Sequence, residues 1–384
     1  MTSGSDSLRG RVLAIGDDAL VVFDGGRARR VAVTSSAHGA RPGDLVAIDS
    51  GSVAVVARGP GEWPPSAGSA GADLSRFLGE RWQRLARRAE LLAVTRAWFA
   101  AAGFLEVETP VLVPSAGTEV HVDPVAATLH PEPGAGPEAR WLITSPEYAM
   151  KRLLAAGAGP IWQLVRVFRD GERGRRHRPE FSMVEWYRPW VDGYDALVAD
   201  CEGWLGALAR ASSGGPVIRW QGRRFDLTPP WPRITFFDLL KARAGVAHPE
   251  DMGEDGWLDA LVAVEATLGA ERPEVVVEWP APLASLSRKK ASDPRVAERF
   301  EVYLGGLELG NAFAELTDAA EQRRRCQDDN RVRAALGKAE MPLDEDFLGA
   351  LEVGMPPSAG IAVGFDRLAM IFCDVPSIDD VLAF

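Results

Sequence analysis

The chain has 384 residues, a formal net charge of -11, 46% hydrophobic and 25% charged residues. That is the balance of an ordinary soluble globular protein, so disorder, collagen-like repeats and coiled coil are poor readings. An acidic chain lacks the general basic surface of a nucleic-acid binder, so any such role needs a local basic face. Three scattered cysteines, Cys201, Cys326 and Cys373, form no CxxC pair. They argue against a disulfide framework or zinc ribbon and fit a reducing cytoplasm. None of the five histidines pairs with another at ligand spacing, so any metal is expected to be a hard cation such as Mg2+ held by carboxylates. No run of about 18 apolar residues occurs, so no membrane span is expected. The opening MTSGSDSLRG has no apolar core, so no signal peptide is expected either.

Residues 8–58 alternate short β-type runs with turns at DGG (24–26) and RPGD (41–44), which predicts a small five-stranded, barrel-like domain over 1–58. The Pro/Gly/Ser/Ala-rich stretch 59–73 reads as a linker. From 74 to Gly103 apolar residues recur at helical spacing. FLEVETPVLV then reads as a strand, and WLITSPEYAMKRLLAAG as strand, turn and helix. IWQLVRVF and EFSMVEWYRPW read as two strands joined by RDGERGRRHRP. Helices dominate 194–268, interrupted by strand-like VIRWQGRRFDLTPPWP. Two further strand segments, VVVEWP and RFEVYLGGLELGNAFAEL, precede SAGIAVGFDRLAMIF, a strand running into a helix. Adjacent strands on short loops imply an antiparallel sheet with helices on its faces, an α+β fold over 74–384.

Three segments carry chemistry. The loop after the first strand of the central pair holds Arg169, Arg173, Arg175, Arg176, His177 and Arg178. Taken alone it is either a solvated basic turn or a phosphate-binding loop, for which arginine's bidentate fork is suited. In EVYLGGLELGNAFAELTD, Glu301, Glu308 and Glu315 recur at intervals of seven, and Gly305-Gly306 breaks the segment into a hairpin. Such carboxylates either form surface salt bridges or hold a cation. GIAVGFDRLAM places Asp366 and Arg367 at a strand-to-helix turn, where Arg367 is suited to a terminal phosphate, or Asp366 simply caps the helix. No P-loop or kinase motif occurs.

GFLEVETPVL (103–112), FRDGERGRRHRPEFSMVEWY (168–187) and GIAVGFDRL (360–368) resemble, in order, the three motifs of class II aminoacyl-tRNA synthetases. TSPEYAMKRLL (144–154) and ELGNAFAELTD (308–318) resemble the lysine-specific branch. Long stretches, among them HRPEFSMVEWYRP and RVAERFEVYLGGLELGNAFAELTDA, are similar to the paralogous elongation factor P–lysine ligases over about four-fifths of the chain. The resemblance implies a class II synthetase-like antiparallel sheet flanked by helices, preceded here by the small β domain. It implies ATP-dependent formation of an aminoacyl adenylate, with Mg2+, and transfer of the acyl group to a lysine of elongation factor P.

Residue roles follow from the resemblance. Arg169 would grip the α-phosphate and the substrate carboxylate, an electrostatic task. Phe181 and Arg367 would flank adenine, with Arg367 reaching the γ-phosphate. Asp170, Gly171, His177, Arg178, Leu309 and Gly364 fall at nucleotide contacts, and Glu301 and Glu308 at Mg2+ ligands. Ser145, Pro146 and Glu147 fall where the family holds the amino group near the carboxylate. Glu185, Tyr187 and Glu315, with Asn311 and Phe313 alongside, match the pocket for the ε-ammonium, which needs carboxylate partners when buried. Two positions depart from the family pattern: Gly171 stands where Glu is usual, and Arg178 where Asn is usual. Ala362 stands where lysyl-tRNA synthetases usually have Gly. Its methyl would fill the space of an α-amino group and favour (R)-β-lysine over α-lysine. The family also implies a homodimer through 103–112 and the helix before it. Residues 1–60 hold seven arginines, six aspartates and Phe23 as their one aromatic residue, a poor platform for stacking nucleic-acid bases. Elongation factor P is therefore expected as acceptor and tRNA is not. A short lysyl-tRNA synthetase and a catalytically silent regulatory paralogue remain the alternatives.

Overall fold

The computed structural model describes residues 7–384 except 35–38, 60–62, 67, 69–71, 78–79, 133, 135 and 285. Much of the expected linker, and the first six residues, thus lie outside the described part. The chain folds as two compact units, Met1–Glu90 with Asp379–Phe384, and Leu91–Ile378.

In the first unit β1 (Leu8–Ile15), β2 (Ala19–Phe23), β3 (Ala28–Ala32), β4 (Leu45–Asp49) and β5 (Ser52–Ala57) form one antiparallel sheet in the order β3-β2-β1-β4-β5. Its core is Val12, Leu20, Val22, Val46 and Ile48, the alternate residues that a period-two pattern sends to one face. The sheet edges approach at one end, where the Thr34 amide and hydroxyl both donate to Gly51 O. Arg41, Arg58 and Gly59 bind the buried Asp44 carboxylate, and the Gly59 amide above all holds that carboxyl below the usual range.

Helix α1 (Arg81–Ala101) is preceded by a 3-10 turn over Ala72–Phe77, so the helical spacing that begins at 74 yields a helix only from Arg81. Then come β6 (Leu105–Glu106), β7 (Leu112–Val113), β8 (Ala126–Leu129), β9 (Glu138–Leu142), α2 (Glu147–Ala155), β10 (Ile161–Phe168), β11 (Glu180–Pro189), α3 (Asp195–Ser213), β12 (Val217–Trp220), β13 (Arg223–Asp226), β14 (Arg233–Thr235), α4 (Phe236–Leu239) and α5 (Glu254–Glu265). The chain continues with β15 (Glu274–Pro280), β16 (Val296–Leu304), β17 (Leu307–Ala314), α6 (Ala319–Ala335), α7 (Glu345–Val353), β18 (Ser358–Gly364) and α8 (Phe365–Phe372). The continuous strand expected over 104–113 is only two short pieces, β6 and β7, separated by the stretch that carries Pro110. Proline cannot donate to a ladder.

The second unit is built on an eight-stranded sheet in the order β14-β15-β16-β17-β18-β11-β10-β6. The β14/β15 and β10/β6 pairs are parallel and the rest antiparallel, so the expected α+β arrangement is observed. One face buries Phe99 stacked on Trp162 at 4.5 Å, with Trp186 and Trp204 beside it. Burying a large apolar side chain contributes about 1.5–3 kcal/mol, and this stack fixes the β10/β11 pair that carries the basic loop. Helices α2 and α7 pack together through Tyr148 and Phe347, stacked at 4.3 Å. No helix among the described residues is long and apolar enough to cross a membrane.

Candidate active site

Strand register sets the floor of the site. Glu185 is opposite Ala362, Ala362 opposite Asn311, and Asn311 opposite Glu301, one row across four strands. A second row runs Tyr187, Gly360, Phe313, Arg299. Residues two apart share a sheet face, so both rows open into one cavity of about 520 Å³. Gly360 is required there. A Cβ at that position would overlap the Tyr187 ring and the Glu315 carboxylate.

At one end of the cavity a hydrogen-bonded chain of polar groups leaves the sheet. Tyr187 OH donates to Glu185 Oε1 at 2.7 Å, and Ser145 Oγ donates to Glu185 Oε2 at 2.8 Å. The Glu147 amide donates to Ser145 Oγ at 3.0 Å. Glu147 opens α2, and one turn later Lys151 Nζ donates to Glu147 Oε1 at 2.6 Å and lies 2.5 Å from Glu315 Oε2. Lys151 is fully buried. Burial alone would lower its ammonium; Glu147 and Glu315 more than reverse this and hold it above the ordinary lysine range. Burial pushes the Glu185 carboxyl up to about 8, and Glu147 adds to the rise. Burial also raises Glu315, but Lys151 and the Gly360 amide favour its charged form, and the short contact makes the Lys151–Glu315 pair ionic.

The other end is cationic and less satisfied. The Arg169 guanidinium lies 5.2 Å from the Phe181 ring centre and 3.6 Å from Glu172, and its buried Nε has no hydrogen-bond partner among the described residues. Arg367 donates to Glu308 O at 2.7 Å and sits 2.5 Å from His177 Nε2. Desolvation and the Arg367 charge lower the His177 pKa. Asp366 does not cap α8. It accepts from the Ser182 amide at 2.9 Å and ties α8 to β11.

Of the residues singled out in the sequence, Ser145, Glu147, Glu185 and Tyr187 line the carboxylate end, and Asn311, Phe313 and Ala362 the floor. Arg169, His177, Arg178, Phe181, Gly364 and Arg367 line the cationic end together with Glu308 and Leu309. A Cβ at Gly364 would meet only Arg367 carbons at ordinary distance, so the space in front of it is open. Glu315 is fully buried beside Gly360 and Tyr187 and is not among the residues that line the cavity. Pro146 faces a smaller cavity of about 200 Å³. Asp170 and Gly171 are exposed in a turn outside the cavity, where Gly171 (φ +77°) donates to the Asp170 carboxylate. The structure therefore does not bring these two to the site.

Sequence reasoning missed Lys151, Arg299 and Glu119. Lys151 was visible as Glu147's partner four residues on, the spacing of a helical ion pair. Arg299 was visible two places before Glu301 on one strand. Its guanidinium donates to Asn311 Oδ1 at 3.0 Å and to Glu301 Oε1 at 2.6 Å.

Glu301 also accepts from Tyr303 OH, and burial pushes its carboxyl up to about 7, with the neighbouring Glu308 adding to the rise against Arg299. No three potential ligands cluster among the described residues. Two neighbouring carboxylates suit Mg2+ delivered with phosphates, since this ion commonly takes one or two protein carboxylates and completes its shell from phosphates and water. The unspent Arg169 donor and the arginine-lined end likewise suit a polyphosphate.

A family model described as tRNA synthetases class II (D, K and N) matches residues 78–384. A relative from Edwardsiella ictaluri named Elongation factor P–(R)-β-lysine ligase is 44% identical over 306 residues, 78% of this chain and 94% of the relative. Relatives of the same name from Proteus mirabilis and Klebsiella pneumoniae are each 41% identical, covering 84% and 78% of this chain and 97% and 94% of their own. With a match over most of the chain and a cavity that joins a carboxylate end to an arginine end, the chain belongs to the class II tRNA synthetases of the D, K and N group.

Proposed function

We propose that the protein activates a lysine-type amino acid, (R)-β-lysine, with ATP and passes the acyl group to a lysine side chain of elongation factor P. The observation that carries this reading is the Tyr187–Glu185–Ser145–Glu147–Lys151–Glu315 chain at one end of a cavity whose other end is arginine-lined. A diamino acid needs buried carboxylates at its ammonium groups, and a polyphosphate needs arginines. The names of the relatives agree with it.

In this reading Glu185 and Tyr187 hold the far ammonium, Glu315 beside them stays paired with Lys151 and adds negative charge, and Arg169 holds the substrate carboxylate beside the α-phosphate. The carboxylate oxygen attacks the α-phosphorus and pyrophosphate leaves. Arg169 opposes the charge that develops there, and Arg367 and His177 meet the departing phosphates. Phe181 and Arg367 flank the adenine. Glu301 and Glu308 are the residues that would face a divalent cation, which would neutralise phosphate charge when bound. The acceptor's uncharged ε-amine then attacks the acyl carbon, AMP leaves, and the new amide nitrogen gives up its proton.

We place the catalytic part at 74–384, which the family match from residue 78 supports, and the reaction in the cytoplasm, in keeping with three cysteines that form no disulfide. We also infer a homodimer through 103–112, where Leu105 and Leu112 are 64% and 40% exposed. Sedimentation at micromolar concentration should give a dimer, and a fully active monomer would remove this inference. The function is tested by incubating the protein with ATP, labelled (R)-β-lysine and either elongation factor P or tRNA. Label should enter the protein acceptor. Label in tRNA alone would make the chain a short tRNA synthetase, and adenylate formation with neither acceptor would leave the transfer step unsupported.

A further inference from the structure

Glu119 lies on the loop between β7 and β8 and has no part in the network above. It forms, with Ser145 and Glu147, the wall shared by the main cavity and the smaller one behind it. The loop is fastened from α6 and its C-terminal end. Thr118 Oγ1 donates to Asp329 Oδ2 at 3.0 Å, Arg333 donates to Glu119 O at 2.8 Å, and Lys338 donates to Val120 O at 2.8 Å. All of these hold the loop, and none engages the Glu119 carboxylate. That carboxylate folds back over Gly117 (φ +102°), where a Cβ would overlap it. Among the described residues no cation forms an ion pair with it. The charges acting on it are Glu147, Asp329 and, more weakly, Arg169. Burial, reinforced by Glu147, pushes the carboxyl up to about 7.

A half-buried carboxylate on a fastened loop, lining the cavity and lacking a cation among the described residues, is placed to receive one. Glu147 and Arg169 line the same cavity and both act on its charge, and they decide which. If Arg169 takes the substrate carboxylate, the nearer ammonium, carried on the β carbon of (R)-β-lysine, falls beside Glu119. Glu147 cannot serve it alone, because its carboxylate is already shared with Lys151. We propose that Glu119 is a specificity-determining residue whose carboxylate binds the substrate ammonium nearest the carboxyl group. This rests on the lysine-type reading of the site above and names the partner of one substrate group.

The test compares (R)-β-lysine with 6-aminohexanoate, the same chain without the near amine, in the wild-type protein and in Glu119→Gln. Amino-acid-dependent ATP–pyrophosphate exchange gives KM for (R)-β-lysine, and competition gives Ki for 6-aminohexanoate. Losing a charge-assisted hydrogen bond should raise the first about 10- to 100-fold, while the second and the KM for ATP stay within about twofold. Glu119→Asp keeps the charge but retracts it and should lose less than E119Q, which keeps the comparison available if E119Q folds poorly. Equal losses for both compounds, or an unchanged KM for (R)-β-lysine in a folded E119Q, would overturn the proposal. A wild-type protein that activates no lysine-type acid would overturn it together with the functional reading, so the two failures are distinguishable.

Discussion

The two ends of the cavity solve opposite problems. At the carboxylate end the charges are satisfied within the protein: Lys151 spans Glu147 and Glu315, and Tyr187 and Ser145 hold Glu185. At the arginine end donors remain unspent. Arg169 Nε is buried without a partner among the described residues, and Arg367 touches Glu308 and an exposed His177. The first end is therefore a structural element that also binds, and the second a binding element with little structural duty. Mutations should separate the two: stability should suffer at one end and rate at the other.

Removing the cation that joins Glu147 and Glu315 should have the largest effect. Lys151→Met leaves two buried carboxylates without their partner, and breaking a buried ion pair costs about 3–5 kcal/mol. Denaturant unfolding should show a loss of that order, and a loss under about 1 kcal/mol would mean that the carboxylate end is not prebuilt. Arg169→Ala should do the reverse. Adenylate formation should fall roughly 100- to 1,000-fold, about 3–4 kcal/mol of barrier, with the melting temperature unchanged. Exchange near the wild-type rate would remove Arg169 from its role.

Ala362 lies on the floor between Glu185 and Asn311, so one methyl there should alter selection and little else. Ala362→Gly should shift the ratio of kcat/KM for (R)-β-lysine over α-lysine toward α-lysine by about 1–3 kcal/mol, the usual discrimination from one methyl-sized group. An unchanged ratio would contradict it. The smallest expected effect is a pH dependence. Glu185, pushed up to about 8 from an unfolded value of 4.5, is protonated more in the folded state than in the unfolded one between those values. Its contribution is complete below the unfolded value and is lost as pH rises through the folded one, so the free protein's melting temperature should fall from pH 5 to 8. A saturating lysine analogue, whose ammonium favours the carboxylate form, should flatten that slope. A rise in melting temperature over the same range would contradict the buried-carboxyl account.

The sequence made the arginine end easier to read than the carboxylate end. Clustered arginines on a strand-joining loop stand out in an acidic chain, and Gly305-Gly306 marks the β16–β17 turn directly. Lys151 and Arg299 did not stand out, because a charge on a helix or strand looks like solvated surface until the fold shows it buried. Helix α6 was hidden for a related reason. Its buried face is Gln322, Cys326 and Arg333, so its helical period is not written in hydrophobic residues. Glu119 was invisible because only the fastening of its loop by Thr118, Arg333 and Lys338 gives its carboxylate a fixed place.

The most direct test of one cavity with a diamino-acid end and a phosphate end is ATP–pyrophosphate exchange by the wild-type protein, without tRNA, with each of three amino acids in turn. The account predicts exchange with (R)-β-lysine, weaker exchange with α-lysine, and none above background with norleucine, which lacks the far ammonium that Glu185 and Tyr187 would hold. Exchange with norleucine equal to that with (R)-β-lysine would contradict it.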